Sequence, residues 1–250
     1  ALNRAPSATK STLLEVLSDV GGTKALNTLG VAAKSDDPIL QDNASRLLGK
    51  WNGVDAAPVL LDLAKTGPVN KYRVRALRGY IGLARKFAMP ETQRAEMCQK
   101  ALNASVQLAE QKLVLDVLKL HPSVAGLKLA INAIQVPELK NDATQATLVI
   151  AQEIGGKGVD VGRLLTSTGL GKVKLEIVKA EYGAGSTQLD VTAVLRKHAG
   201  DLPLVTLASP SYNTSFGRDP MPGRVKRSRV QYRPTGQAGD ASFAADAVTH

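Results

Sequence analysis

Four stretches of this chain open at Gly21, Gly53, near Phe87 and at His121, spaced 32, 34 and 34 residues apart, and each carries the same pattern. A helix-forming apolar run is followed by a short polar turn with Asp or Pro, and then by a longer helix-forming run. "GGTKALNTLGVAAKSDDPILQDNASRLLGKW", "GVDAAPVLLDLAKTGPVNKYRVRALRGYIGLA" and "HPSVAGLKLAINAIQVPELKNDATQATLVIAQEI" show it plainly, and the unit from Phe87 more loosely. A helix pair of this length cannot bury its apolar faces alone and must stack on neighbours. Residues 1–155 are therefore expected to form an α-solenoid of about four helix pairs.

The apolar spacing inside the units is helical. Leu13, Leu14, Val16, Leu17 and Val20 fall on one stripe, as do Val74, Leu77, Ile81 and Ala84, and Leu113, Val114, Val117 and Leu118. Asp37 before Pro38, Pro68, Pro90 with Glu91, and Pro137 with Glu138 mark helix starts, because proline's missing N–H is spare in a first turn. Only nine of the 250 residues are aromatic, and the apolar set is mainly Leu, Val and Ala, which favours close helix packing over an all-β sandwich.

The pattern changes at "GGKGVDVGRLLTSTGLGK", residues 155–172, which holds six glycines and reads as a linker over 156–171 with one helical turn at "VGRLL". It is not a phosphate loop, since Lys172 is followed by Val173 and Thr166 stands five positions before Gly171, where that motif needs glycine. Beyond it, Val173, Leu175 and Ile177 alternate with Lys172, Lys174 and Glu176, the mark of a half-buried strand. "DVTAVLRKHAG" reads as a short helix with Asp190 at its N-cap. "PLVTLAS", "RVKRSRVQYRP" and "ASFAADAV" read as further strands, the last two separated by the turn "TGQAGD". Within "DPMPGRVKRSRVQY", Pro220, Pro222 and Gly223 suit a stiff turn. Alternation then sends Ser228, Val230 and Tyr232 to one face and Arg227, Arg229, Gln231 and Arg233 to the other. The expected fold class is α+β and multidomain: a helical array over 1–155, the linker, and a small β-rich domain over 172–250.

The first part resembles HEAT repeats, above all the degenerate HEAT-like arrays of large multidomain bacterial proteins, on "RALRGYIGLA" and "PETQRAEMCQKAL…AEQKLVLDVL". The second resembles the domain of unknown function at the end of mitochondrial DnaJ homologues, on "IVKAEYG", "DVTAVLRK" and "DPMPGRVKRSRVQY" in that order. The matching positions are Ala180, Tyr182, Gly183, Asp190 to Thr192, Asp219, Pro220, Gly223, Lys226, Val230, Tyr232 and Gly236. That family usually has an apolar residue where Ser228 stands. The resemblance implies an exported, periplasmic setting beside sugar-active or haem-binding modules, and it supplies no catalytic residues. The sequence itself begins at Ala1 and has no leader pattern of a charged then an apolar region.

In HEAT-like arrays the second helix of each pair lines the concave face. Here those helices carry Arg46 and Lys50, then Lys71, Arg73, Arg75 and Arg78, then Lys112 and Lys119. Such a face suits an acidic peptide, a polyanion or nucleic acid; the alternative is a set of solvated cations whose stems cover apolar surface between repeats. The net charge of +10 does not choose, because residues 1–170 hold 21 basic and 15 acidic side chains and residues 171–250 hold 11 and 7. Tyr182, Arg227 and Arg229 are the candidate binding residues of the second domain, with Tyr182 and Tyr232 weighed between core packing and stacking on a sugar.

No catalytic constellation emerges. His121, His198 and His250 are isolated, Cys98 is the only cysteine, and no G-x-S-x-G or H-E-x-x-H occurs, so no metal or cofactor is expected. "SPSYNTSFG" is a polar loop, and Glu176 and Glu181 read as solvated charges. No apolar run nears the ~20 residues of a membrane-spanning helix. The expectation is a non-catalytic scaffold that binds a protein partner or a neighbouring domain. The alternatives are a nucleic-acid-binding HEAT-like protein and a carbohydrate-associated accessory region of a larger exported enzyme.

Overall fold

The computed structural model describes residues 5–155, 157–168, 174–200, 205, 207, 209 and 211–235. It is mostly helical, with one small antiparallel sheet towards the C-terminal end. The chain divides into two compact units, residues 1–150 and 151–250.

The first unit contains α1 (Ser7–Val20), α2 (Gly22–Ala32), α3 (Pro38–Gly49), α4 (Ala57–Thr66), α5 (Asn70–Lys86), α6 (Glu91–Ala104), α7 (Leu108–Leu120), α8 (Val124–Ala133) and most of α9 (Lys140–Gly155). Their starts have local causes. Asp37 caps α3 by accepting from the Ile39 and Leu40 amides at 2.9 and 3.3 Å, with Pro38 in the first turn. Ser123 caps α8 by accepting from the Gly126 amide at 3.0 Å. Pro137 opens a short 3-10 turn over Pro137–Leu139 that feeds α9.

From α1 to α8, most helices pack on the next and each from α1 to α6 on the next but one. α1, α3, α5 and α7 contact one another in succession, as do α2, α4, α6 and α8, so the helices form two layers. Leucines fill the space between them, Leu14, Leu29, Leu48, Leu60, Leu63, Leu115, Leu118 and Leu127 being almost wholly buried, with alanines such as Ala44, Ala76 and Ala130 where helices approach closely. α5 buries Tyr72, Ala76, Leu77, Tyr80, Ile81, Leu83 and Ala84. Its C-terminal carbonyls are capped by the buried guanidinium of Arg94 on α6, which donates to the Ala84 and Phe87 oxygens. The stripe expected on α1 is only partly used: Leu14 is buried, while Val16 and Val20 are 52% and 77% exposed, because α2 and α3 cover one side of that helix.

In the second unit, β1 (Lys174–Ala184) is the central strand, flanked by β2 (Thr187–Asp190) and β3 (Arg227–Thr235) in the order β2-β1-β3, all antiparallel. α10 (Val161–Leu165) precedes the sheet; α11 (Thr192–His198) and α12 (Tyr212–Ser215) follow β2. Ile177, Ala180, Tyr182, Val191, Leu195 and Phe216 make the core. β1 does not hold a single alternation. Ile177 faces Tyr232 and Lys179 faces Gln231, so Val178 is the extra residue of a β-bulge. Inward positions change from Leu175 and Ile177 to Ala180 and Tyr182 across it. Arg196 of α11 fastens the bulge, donating to the Ile177 carbonyl at 2.8 Å and the Val178 carbonyl at 3.1 Å.

Three expectations are modified. β2 stands where no strand was anticipated, joined to β1 by a two-residue turn in which Gly185 takes φ +56°. Asp190 ends β2 rather than opening the helix, and its Oδ1 accepts from the Thr192 amide at 2.8 Å. Of the strand expected over 203–209, Val205 forms an isolated bridge with Ala199; residues 241–248 lie outside the described ones.

Candidate functional site

Where α3 ends against α5, two glycines bring the backbones together. A Cβ on Gly79 would stand 3.0 Å from the Gly49 Cα. Over this point lies an open groove of about 720 Å³, lined by Arg46, Gly49, Lys50, Asn70, Lys71, Val74, Arg75, Arg78, Gly79 and Gln107. Five of these residues are cationic and none is a carboxylate. Four of the sequence-derived candidates, Arg46, Lys50, Arg75 and Arg78, therefore meet in one place, together with Lys71. Arg73 and Lys112 do not line it: Arg73 donates to the Gly67 carbonyl, and Lys112 pairs with Asp142 at 3.0 Å.

Most of the groove's cations also hold helices together. Arg75 Nη1 donates to the Asp42 carbonyl at 2.9 Å and to Ser45 Oγ at 2.8 Å, and lies 3.3 Å from Asp42 Oδ1. Lys71 Nζ donates to the same carboxylate oxygen at 2.9 Å. Arg78 donates through Nε to Glu110 Oε1 at 2.9 Å, its Nη2 lies 2.9 Å from the same oxygen, and the pair joins α5 to α7. Arg46 donates to Asn43 Oδ1 at 2.8 Å and lies 3.6 Å from Glu15 of α1. Each carboxylate sits on a neighbouring odd-numbered helix. Lys50, exposed at the end of α3, has no such partner among the described residues. The groove thus combines tethered arginines with Lys50 and the largely exposed Lys71, which remain accessible to an incoming anion.

Of the two readings weighed for Tyr182, core packing and stacking on a sugar, the structure matches the first. Tyr182 is 0% exposed, which removes it from any binding surface. Its ring meets Phe216 at 5.0 Å and Tyr212 at 6.0 Å, and its hydroxyl donates to Asn213 Oδ1 at 2.8 Å. Asn213 Nδ2 donates to Asp219 Oδ2 at 3.1 Å, which also accepts from the buried Lys226 at 2.9 Å. Lys226, the one cation of "RVKRSR" that turns inward, therefore closes a polar chain under the turn, and the Met221 amide donates to Asp219 Oδ1 at 2.9 Å. Ser228 is buried opposite Tyr182. Arg227, Arg229, Gln231 and Arg233 face outwards as alternation requires, with Arg229 opposite Glu181 and Arg233 opposite Glu176.

Among the described residues, no group of three or more His, Cys, Asp or Glu is placed to hold a metal ion, and no helix is long and apolar enough to cross a membrane. His121 Nε2 lies 2.9 Å from the Arg85 carbonyl, and burial pushes the Cys98 thiol up to about 12. Comparison with family models, with curated proteins and with solved structures returns no match for the chain.

The paired carboxylates give the fold a defined response to acid. The hydrogen bond from Lys71 holds Asp42 below the usual carboxylate range, and the hydrogen bond from Lys226 does the same for Asp219. A folded-state value below the unfolded one means that stability is present above about pH 4 and is lost as pH falls through the folded value. The melting temperature, followed by circular dichroism, should be nearly level from pH 7 to 5 and should fall below about pH 4. Asp42→Asn with Asp219→Asn should be less stable at neutral pH and show a shallower acid fall; an acid fall unchanged in that variant would contradict the assignment.

Proposed function

We propose that this chain is a non-catalytic interaction module, a HEAT-like solenoid followed by a small β domain of the kind found at the end of mitochondrial DnaJ homologues. Its groove on α3 and α5 receives an acidic segment of a protein partner. The observation that carries this reading is the lining itself, five cations without a carboxylate around an open groove of about 720 Å³. Support for the solenoid comes from the layering, in which the second helices of the sequence units, α3, α5 and α7, contact one another in succession. On this reading the groove lies on their concave side. An extended acidic peptide suits it better than a nucleic-acid backbone, because the arginines already share Asp42 and Glu110, leaving a short cationic stretch rather than a continuous track.

The test is fluorescence anisotropy with a short labelled Glu- and Asp-rich peptide. Lys50→Glu with Lys71→Glu should weaken binding about tenfold or more, since like charges then face the ligand. Lys128→Glu, on exposed α8 surface, should leave it unchanged. No binding by the unaltered protein would overturn the proposal, as would tighter binding of a DNA duplex or RNA than of the peptide at low salt.

A further inference from the structure

A second hollow, of about 470 Å³, lies between the end of α1, the start of α2 and the loop after α3. Ser18, Asp19, Lys50, Trp51, Asn52 and Asp55 line it, with Gly21 and Gly22 completing the wall. Trp51 is the only tryptophan of the chain. Its orientation is fixed, because the indole Nε1 donates to Asp55 Oδ1 at 3.1 Å. Gly53 makes room for that brace: a Cβ there would overlap Asp55 Oδ1 and stand 3.3 Å from the indole nitrogen. On the other side, Gly21 and Gly22 take φ +74° and +83°, and a Cβ on either would meet nothing within 4 Å. The wall beside the aromatic residue is therefore open.

The polar groups are arranged for a ligand that both donates and accepts. Asn52 Oδ1 already accepts from Lys86 Nζ at 2.6 Å, so its amide N–H groups are the part left to serve a ligand. Asp55 is engaged by Trp51, while the Asp19 carboxylate has no hydrogen-bond or ion-pair partner among the described residues. A purely apolar ligand would strand these groups, and a strongly charged one would meet both signs, Asp19 and Asp55 against Lys50. A neutral polyol with one apolar C–H face satisfies all of them, since an indole offers a large flat apolar surface beside a polar edge.

We propose that this hollow is a saccharide subsite, in which a neutral pyranose lies on Trp51, donates hydroxyl hydrogens to the Asp19 carboxylate and accepts from the Asn52 amide. The hollow shares Lys50 with the groove, but the proposal does not depend on the acidic-peptide reading. Because Trp51 is alone, intrinsic fluorescence reads this place directly. Titration with cellotetraose, xylotetraose, chitotetraose and maltotetraose should give, with at least one of them, a saturable shift of emission that survives added salt. Asp19→Ala and Asn52→Ala keep the reporter and alter only exposed side chains, and each should weaken that response, Asp19→Ala by roughly tenfold or more because a hydrogen bond to a charged group is lost. No saturable change with any of the four sugars would overturn the proposal. So would a response undiminished in Asp19→Ala, or a response confined to free amino acids and suppressed by salt.

Discussion

Arg78→Ala should destabilise the helical unit by about 2–3 kcal/mol, read as a lower urea midpoint at unchanged slope. Glu110 is 1% exposed, and both contacts that compensate its carboxylate come from Arg78. Taking away the guanidinium leaves a buried charge without its counter-ion, for which ~3–5 kcal/mol is usual, and water around the half-exposed arginine trims that figure. Arg78→Lys should recover part of the loss, keeping the charge but not the two-nitrogen approach of the guanidinium to the Glu110 carboxylate. In a Glu110→Leu background the same Arg78→Ala change should cost little, because nothing buried is then stranded. A loss within about 0.5 kcal/mol of zero in the unaltered background would show that α7 does not depend on this pair. The consequence for binding studies is direct: charge reversal at Arg78 or Arg75 tests the fold, Lys50→Glu tests the groove alone, and Lys71→Glu, which also removes a partner of Asp42, is read together with its melting temperature.

Gly183→Ala should be the most damaging single change in the second unit. Gly183 lies in the central strand, paired with Gln188 of β2 and Arg227 of β3. A Cβ there would overlap the Thr187 carbonyl oxygen and stand 3.0 Å from the Gln188 Cα. Both obstacles are backbone, so no side-chain rotation relieves them, and the hairpin must part or the strand must shift. Such overpacking costs ~1–3 kcal/mol in ordinary cores and more where only backbone can yield. The expected result is loss of protection from hydrogen exchange at β1 and β2 amides while the α3 to α7 amides keep theirs. Undiminished protection at Gly183 and its neighbours would refute it.

The helices were legible in the sequence because proline, Asp37 and the 3.6-residue recurrence of Leu and Ala all act locally. The basic candidates were legible too, but their partners were not. Asp42 serves Lys71 and Arg75, 29 and 33 residues away, and Glu110 serves Arg78 at 32, so the neutralising charges sit on adjacent helices, where a reading along the chain does not join them. Gly49 and Gly79 gave no signal of a shared crossing, since neither is in a turn motif. In the second unit, the period of two correctly set Ser228, Val230 and Tyr232 against Arg227 and Arg229. The missed β2 had a mark in the Gly185–Ser186 dipeptide, which suits a two-residue hairpin. Lys226 shows the limit of charge as a guide to exposure: amid exposed arginines it is buried, because Asp219 and the turn beneath Tyr182 give it a partner.

The bulge at Val178 has a bearing on how chains of this kind diverge in length. Without Val178, Ile177 would be followed directly by Lys179, and the strand would run in unbroken in-and-out order with Ala180 and Tyr182 still inward. The extra residue thus shifts the register by one without turning the strand inside out. What it adds is a second carbonyl for Arg196, so the inserted residue is fastened by a helix that starts at Thr192, beyond β2. A shortened strand and an Arg196 replacement are therefore changes that would be expected to travel together.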